Sequence, residues 1–270
     1  MGKTIIITGA SDGIGRAAAQ ALSGAGHTIV VVGRSPDKTK AVADEVGGRY
    51  HVADFARLDD VRRLAAELLE RYPVVDVLCN NAGGIMGPRR TTVDGHEMTF
   101  QVNHLAPFLL TQTLLPCLAA SRATVIATSS SVNRRGRIRL DDVDGQRKYS
   151  ATGAYSAAKL ANILFTKELH RRYADAGVAA ASFEPGPVAS NFGAESTLLM
   201  RLVYHSFVHR FLLSPSQGAD TLVWLAGSEP GVDWAPGQHY GKRKPVKVNR
   251  SADDAVLGKR LWEQTEQMAQ

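Results

Sequence analysis

The sequence predicts one α/β domain built on a doubly wound parallel sheet, and three observations predict it. Short runs rich in Val, Ile and Ala recur with little polar alternation, as in strands buried on both faces of a parallel sheet. Longer helical patterns fill the intervals, a β-α-β rhythm that winds into a sheet with right-handed crossovers. The first apolar run ends in a glycine-rich turn that opens a helix. No low-complexity tract, internal repeat or linker divides the 270 residues, so 1–270 reads as a single domain.

Taken in order, the first strand is expected at 3–8 (Lys-Thr-Ile-Ile-Ile-Thr) and the first helix at 13–25, straight after the glycine turn. A second strand at 28–32 and helix at 37–46 follow, then a strand at 49–53 and a helix at 58–72. The fourth strand is placed at 74–79, the long central helix at 96–120 and the fifth strand at 123–128. A helix at 155–175, a strand at 178–183, a helix at 215–227, a strand at 237–241 and a helix at 252–268 complete the series. Two intervals, 130–154 and 186–214, are too long to be simple connections. Long segments at strand C-termini carry function, and that edge of an open α/β sheet is where ligands bind.

Composition removes several function classes. A hydrophobic content of 44% suffices for a sizeable core. No run of roughly 18 apolar residues suggests a membrane span. The first strand begins too early to leave room for a signal peptide, so no membrane anchor and a cytoplasmic location are expected. Cys79 and Cys117 sit in apolar surroundings and read as buried free thiols. The net charge is +6, with clusters at 134–139 and 242–244. Interleaved aromatics are missing there, so nucleic acid is not the expected partner; a basic face that draws in an anionic cofactor is.

The turn Thr8-Gly9-Ala10-Ser11-Asp12-Gly13-Ile14-Gly15 carries the first chemical signal. Gly9 permits the tight turn, while Gly13 and Gly15 let backbone approach a pyrophosphate at the amides and dipole of the helix N-terminus. The second strand ends Val32-Gly33-Arg34-Ser35. No carboxylate stands there to meet a ribose 2′-hydroxyl, and the Arg34 guanidinium matches a 2′-phosphate, which favours NADP(H). Lys38 reads as a solvent-facing helix lysine.

The second signal is Tyr155 and Lys159, four apart and so on one helix face. A nearby ammonium favours the phenolate and lowers the tyrosine pKa from about 10, which suits a group that passes protons near neutral pH. His205 and His209 share this spacing, but no glutamate follows His205 and no third ligand is evident. No metal site is expected.

These residues together resemble the short-chain dehydrogenase/reductase family, over nearly the whole chain. The glycine loop is similar to its T-G-x-x-x-G-I-G. Asp54, with Phe55 beside it, matches the acidic position that contacts adenine, and Asn80-Asn81-Ala82-Gly83 matches its N-N-A-G motif beside the adenine ribose. Asn103 matches the family's catalytic asparagine, Pro185-Gly186 its turn facing the nicotinamide, and Val188 and Ser190 its carboxamide contacts. The stretches around Asn103-His104-Leu105 and Tyr155–Phe165, with the 130–154 insertion, are similar to the retinol dehydrogenase-like branch. Residues 129, 130 and 131 are all serine; matching the insertion to that branch's spacing selects Ser130, with Ser129 and Ser131 as strand-end hydrogen bonders.

The resemblance implies a Rossmann fold: a three-layer αβα sandwich whose seven-stranded parallel sheet has the order 3-2-1-4-5-6-7. It implies a tetrad of Asn103, Ser130, Tyr155 and Lys159, and reversible hydride transfer between NADP(H) and a carbonyl or alcohol carbon. Apolar residues in 186–214 suggest a lid over a lipophilic substrate, or packing on the core or a second subunit. The resemblance leaves the oligomeric state open: the family forms dimers or tetramers, the branch's lid and C-terminal tail disfavour a tetramer, and a homodimer is one candidate. Two other classes stand beside this one. A nucleotide-sugar epimerase shares Tyr-x-x-x-Lys but needs a larger C-terminal substrate domain. A non-catalytic NADP(H)-binding regulator predicts a broken tetrad.

Overall fold

A computed structural model describes residues 2–188 and 213–270. The chain runs β1 (Thr4–Thr8), α1 (Gly13–Gly24), β2 (Thr28–Gly33), α2 (Pro36–Glu45), β3 (Arg49–Val52), α3 (Leu58–Arg71) and β4 (Val77–Asn80). Next come α4 (Met98–Phe100), a π segment (Gln101–Leu105) and α5 (Ala106–Ala120), which form one continuous helix. Then follow β5 (Thr124–Thr128), a 3₁₀ turn (Ser131–Arg135), α6 (Ala151–Tyr173) and β6 (Ala179–Phe183). After the gap stand α7 (Pro215–Gly227), β7 (His239–Gly241), β8 (Lys244–Pro245), a 3₁₀ turn (Arg250–Asp253) and α8 (Ala255–Met268).

The described sheet has the order β3-β2-β1-β4-β5-β6-β7-β8, and every pairing is parallel except β7 with β8. The doubly wound class and the order of the first seven strands are as expected. The eighth strand is an addition. Its two residues are too few to show a period, and the connecting Lys242 and Arg243 take positive φ (51° and 59°) without the Asn-Gly pair that usually marks such a turn.

Strand side chains alternate between two cores. Ile5, Ile7, Val31 and Phe183 meet α1 and α7 on one face. Ile6, Val30, Leu78 and Val125 meet α3, α5, α6 and α8 on the other. On that second side Trp262 of α8 stacks on Phe165 of α6, with centroids 5.7 Å apart, and meets Phe108 of α5 edge-on.

Three features stand out among the departures from the expected bounds. β4 begins at Val77, not 74, because Val74 is exposed beyond the paired residues. α6 begins at Ala151, one turn before the expected 155: the Ser150 hydroxyl accepts from the Gly153 amide and starts the helix where the apolar pattern is weak. The central helix carries its π segment around Asn103, a feature that apolar spacing does not reveal.

Candidate active site

The C-terminal ends of β1, β4, β5 and β6 share one edge of the sheet, and the chain order reverses between β1 and β4. At this switch point lies a cavity of about 610 Å³. Its walls include the glycine loop, Asn81–Gly83, Ser130, Tyr155, Lys159 and Pro185–Val188. Residues spread over 180 positions of sequence thus line one space.

The glycine loop is built for close approach. Gly9 has φ 65°, and a Cβ there would lie 2.7 Å from Ala82 Cα. A Cβ on Gly15 would lie 2.8 Å from Ala10 Cα, with the Gly9 carbonyl oxygen closer still. Asp12 caps α1 by accepting from the Gly13 amide at 2.7 Å. The Thr8 hydroxyl accepts from the Asn81 and Ala82 amides, both at 3.0 Å, and donates to the Cys79 carbonyl at 3.2 Å. The Asn81 side chain returns a bond to the Thr8 carbonyl at 2.9 Å. These bonds lock the N-N-A-G segment to the end of β1. The glycines at the N-terminus of α1 leave room for a dinucleotide pyrophosphate to approach the backbone, with the Gly13 amide held by Asp12.

Ser11, Arg34, Asp54 and Phe55 do not line the main cavity. Ser11 packs where a Cβ on Gly33 would be (2.9 Å from Ser11 Cβ) and borders a neighbouring cavity of about 270 Å³ with Lys38 and Arg16. Arg34 is exposed just past Gly33. Asp54 Oδ1 accepts from the Ala56 amide at 3.0 Å, turning the chain after β3. Phe55 is buried in the core and its carbonyl accepts from Gln101 at 3.3 Å. Val188 is pinned beside Leu213, whose amide donates to the Pro187 carbonyl at 2.8 Å. Ser190, His205, His209 and most of the expected lid lie outside the described residues.

At the floor, Lys159 is 1% exposed. Its ammonium donates to the Thr128 carbonyl at 3.0 Å and lies 5.4 Å from the centroid of the Tyr155 ring. Burial pushes its pKa down to about 7. The sequence reading treats this lysine as simply positive; in the fold, its charge near neutrality depends on what shares the cavity. An anion held close by in the cavity would favour the charged form.

All three serines line the cavity, and burial and hydrogen bonding separate them. Ser129 is buried and donates to the Lys159 carbonyl at 2.7 Å. Ser130 is half-buried, borders the cavity beside Tyr155 and caps the 3₁₀ turn, and Ser131 is exposed at its rim. Asn103 is fully buried: its amide nitrogen donates to the Gly84 and Thr99 carbonyls, both at 2.8 Å, and its oxygen accepts from the Gly84 amide at 3.1 Å. It braces the loop after β4 against the central helix. Thr152 and Ser156 also line the cavity and escaped the sequence reading. Thr152 stands three before Tyr155, a helical spacing that could have flagged it once the helix was known to start at 151.

Residues 3–198 match the sequence pattern described as short chain dehydrogenase. The chain belongs to the short-chain dehydrogenase family. It is 43% identical over 269 residues to a Streptomyces protein named as a candidate daunorubicin C-13 ketoreductase, covering 97% of this chain and 91% of that protein. It is 36% identical over 287 residues to mouse (Mus musculus) retinol dehydrogenase 14, covering 99% and 86%. A crystal structure of an Escherichia coli short chain dehydrogenase complexed with NADPH superimposes with a TM-score of 0.65 at 28% identity, covering 84% of this chain and 91% of that one. This short-chain dehydrogenase falls in the retinol dehydrogenase-like branch and is an oxidoreductase of the CH–OH/C=O class that binds a nicotinamide cofactor. Among the described residues, no helix is long and apolar enough to cross a membrane.

Proposed function

We propose that the protein is an NADP(H)-dependent oxidoreductase that interconverts a lipophilic ketone or aldehyde and its alcohol, with Tyr155 as acid and base. The observation that carries this reading is the shared cavity, where the glycine loop, Ser130, Tyr155 and Lys159 all meet. Arg34, placed where an NAD-binding chain carries a carboxylate, supports NADP(H), as does the likeness to a structure that holds NADPH. Ile85, Val132, Pro187 and Val188 give the cavity apolar walls, and both relatives are named for bulky lipophilic molecules.

The bound cofactor supplies the hydride. In reduction, Tyr155 gives its proton to the carbonyl oxygen. Ser130 donates a hydrogen bond to the same oxygen and stabilises its growing charge. Lys159 holds the nicotinamide ribose and, when charged, favours the phenolate of Tyr155. Asn103 holds the loop after β4 and orders a water that links Lys159 to solvent. The glycine loop, Asn81, Ala82, Gly83 and Pro185–Val188 orient the cofactor, with Asp54 and Phe55 at its adenine end and Ser190 at the carboxamide. We take 1–270 as one functional domain that assembles as a homodimer. Two free cysteines, Cys79 buried and Cys117 partly so, support a reducing compartment and hence the cytoplasm.

The test is NADPH oxidation with a panel of lipophilic aldehydes and ketones, with NADH as control. Tyr155→Phe is expected to abolish turnover and leave NADPH binding nearly intact. Turnover retained in that variant refutes the assignment of Tyr155. No turnover by the wild type across a broad panel favours a non-catalytic NADP(H)-binding regulator.

A further inference from the structure

His104 lies next to Asn103 in the π segment and is 2% exposed. Its Nδ1 is 3.2 Å from Asn162 Oδ1, and its Nε2 is 3.2 Å from Thr265 Oγ. Asn162 Nδ2 donates to the Thr128 carbonyl at 3.1 Å, the oxygen that also accepts the Lys159 ammonium at 3.0 Å. Asn162 is 5% exposed and Thr265 fully buried. A dry chain of polar groups therefore leads from α8, through the central helix and α6, to the end of β5, and stops at the carbonyl that receives Lys159.

The acceptor-only groups fix the protons at the Thr128 end of the chain. A carbonyl only accepts, so Asn162 must turn its NH₂ to Thr128 and its oxygen to His104. That oxygen also only accepts, so His104 Nδ1 must carry a proton. Burial keeps the ring neutral, with its pKa pushed down to about 4. Nε2 is then the unprotonated nitrogen, and it faces the Thr265 hydroxyl. That hydroxyl also donates to the Leu261 carbonyl at 2.7 Å, so its one proton is shared between that carbonyl and Nε2. The other tautomer would press two lone pairs together, Nδ1 against Oδ1, where no water can separate them.

We propose that Asn162, His104 and Thr265 are positioning residues for Lys159. They fix the Thr128 carbonyl, and so the lysine ammonium, and they tie the C-terminal helix to the site. The proposal rests on the reading of Lys159 as the group that holds the cofactor ribose. Thr128 is a junction for a second reason: its hydroxyl donates to Asn81 Oδ1 at 3.3 Å, so a shift of residue 128 would be felt on both sides of the cavity.

Nitrogen-15 NMR of histidine imidazoles, with His104→Gln to assign the signal, reads the tautomer without any turnover. The expected result is a neutral ring protonated at Nδ1 from pH 8 down to pH 5.5. A ring protonated at Nε2 overturns the proposal. His104→Phe fills the same aromatic cluster but can neither donate nor accept. It is expected to weaken NADPH about tenfold and to lower kcat about tenfold, with the carbonyl KM within twofold, as the loss of one buried hydrogen bond implies. His104→Gln, which keeps a donor and an acceptor, is expected to recover most of both. Folded His104→Phe with NADPH affinity and kcat within twofold of wild type overturns the proposal. Thr265→Val, nearly isosteric, is expected to act in the same direction by about threefold and serves if His104→Phe does not fold. A wild type that reduces no carbonyl, with an NADPH affinity that still falls in His104→Phe, sinks the reductase reading and leaves the positioning role standing.

Discussion

Lys159→Met should make the protein more stable while it removes the proposed activity, and the gain should depend on pH in a defined way. The lysine is 1% exposed, and burial lowers its pKa from 10.5 to about 7. Its folded pKa lies below its unfolded one, so between these values the unfolded chain binds more protons and stability rises with pH. Below pH 7 both states are protonated and the fold bears the full cost of the buried charge. At about 1.4 kcal/mol per pH unit, that cost is on the order of 5 kcal/mol below pH 7, falls to about 2 kcal/mol at pH 9 and vanishes above pH 10.5. Methionine has similar length, carries no charge and loses one hydrogen bond to Thr128, worth about 1 kcal/mol. Its net advantage in urea unfolding at pH 6.5 is therefore on the order of 4 kcal/mol. Lost bonds and packing changes are common to all pH values, so the diagnostic quantity is the difference between two of them. The advantage should shrink by about 2 kcal/mol from pH 7 to pH 9. An advantage equal at both pH values would refute the reasoning, because the lysine would then not bear a charge cost in the fold.

Three further predictions concern the cavity. Gly83→Ala places a Cβ 3.2 Å from Lys159 Nζ and closer still to Asn103 Oδ1, so it should lower stability by about 1–3 kcal/mol and weaken NADPH binding; calorimetry and fluorescence titration check this. Arg34→Ser should lower the NADPH-to-NADH preference in kcat/KM by at least about tenfold, since one charge-assisted contact is worth roughly 1.5–3 kcal/mol. Ser130→Ala should cut kcat by about 10²–10³, whereas Ser129→Ala should mainly cost about 1 kcal/mol in chemical denaturation by freeing the Lys159 carbonyl, a contrast visible in parallel kinetic and unfolding assays.

The fold was legible because its signals are local. Val, Ile and Ala runs between helical patterns define buried parallel strands, and the glycine turn needs only backbone freedom and a following helix. The same locality explains the errors. β8 has two residues and no period, and α6 starts on a Ser150 cap rather than on an apolar residue. The π segment depends on how the central helix packs, so spacing alone could not place it. At the site, the glycine loop, Asn81–Gly83, Ser130, Tyr155, Lys159 and Pro185–Val188 line one cavity, whereas Ser11, Arg34, Asp54, Phe55 and Asn103 lie off it; Thr152 and Ser156 lacked any signal apart from proximity to Tyr155.

By itself, the sequence determined the sheet class, the phosphate-binding turn, the pairing of Tyr155 with Lys159 on one helix face, and the absence of a carboxylate beside Arg34. Each follows from a short stretch of chain and the geometry of one element. Tertiary structure alone decided which serine hydroxyl is committed to the Lys159 carbonyl, although 129, 130 and 131 all line the cavity. It also decided the state of Lys159 and its neighbours. The lysine loses its ordinary pKa because elements distant in sequence shut it off from water, and His104, Asn162 and Thr265 become partners only when three helices pack. Desolvation and hydrogen bonding between remote residues have no signature in a local stretch of sequence, because they arise from the packing itself.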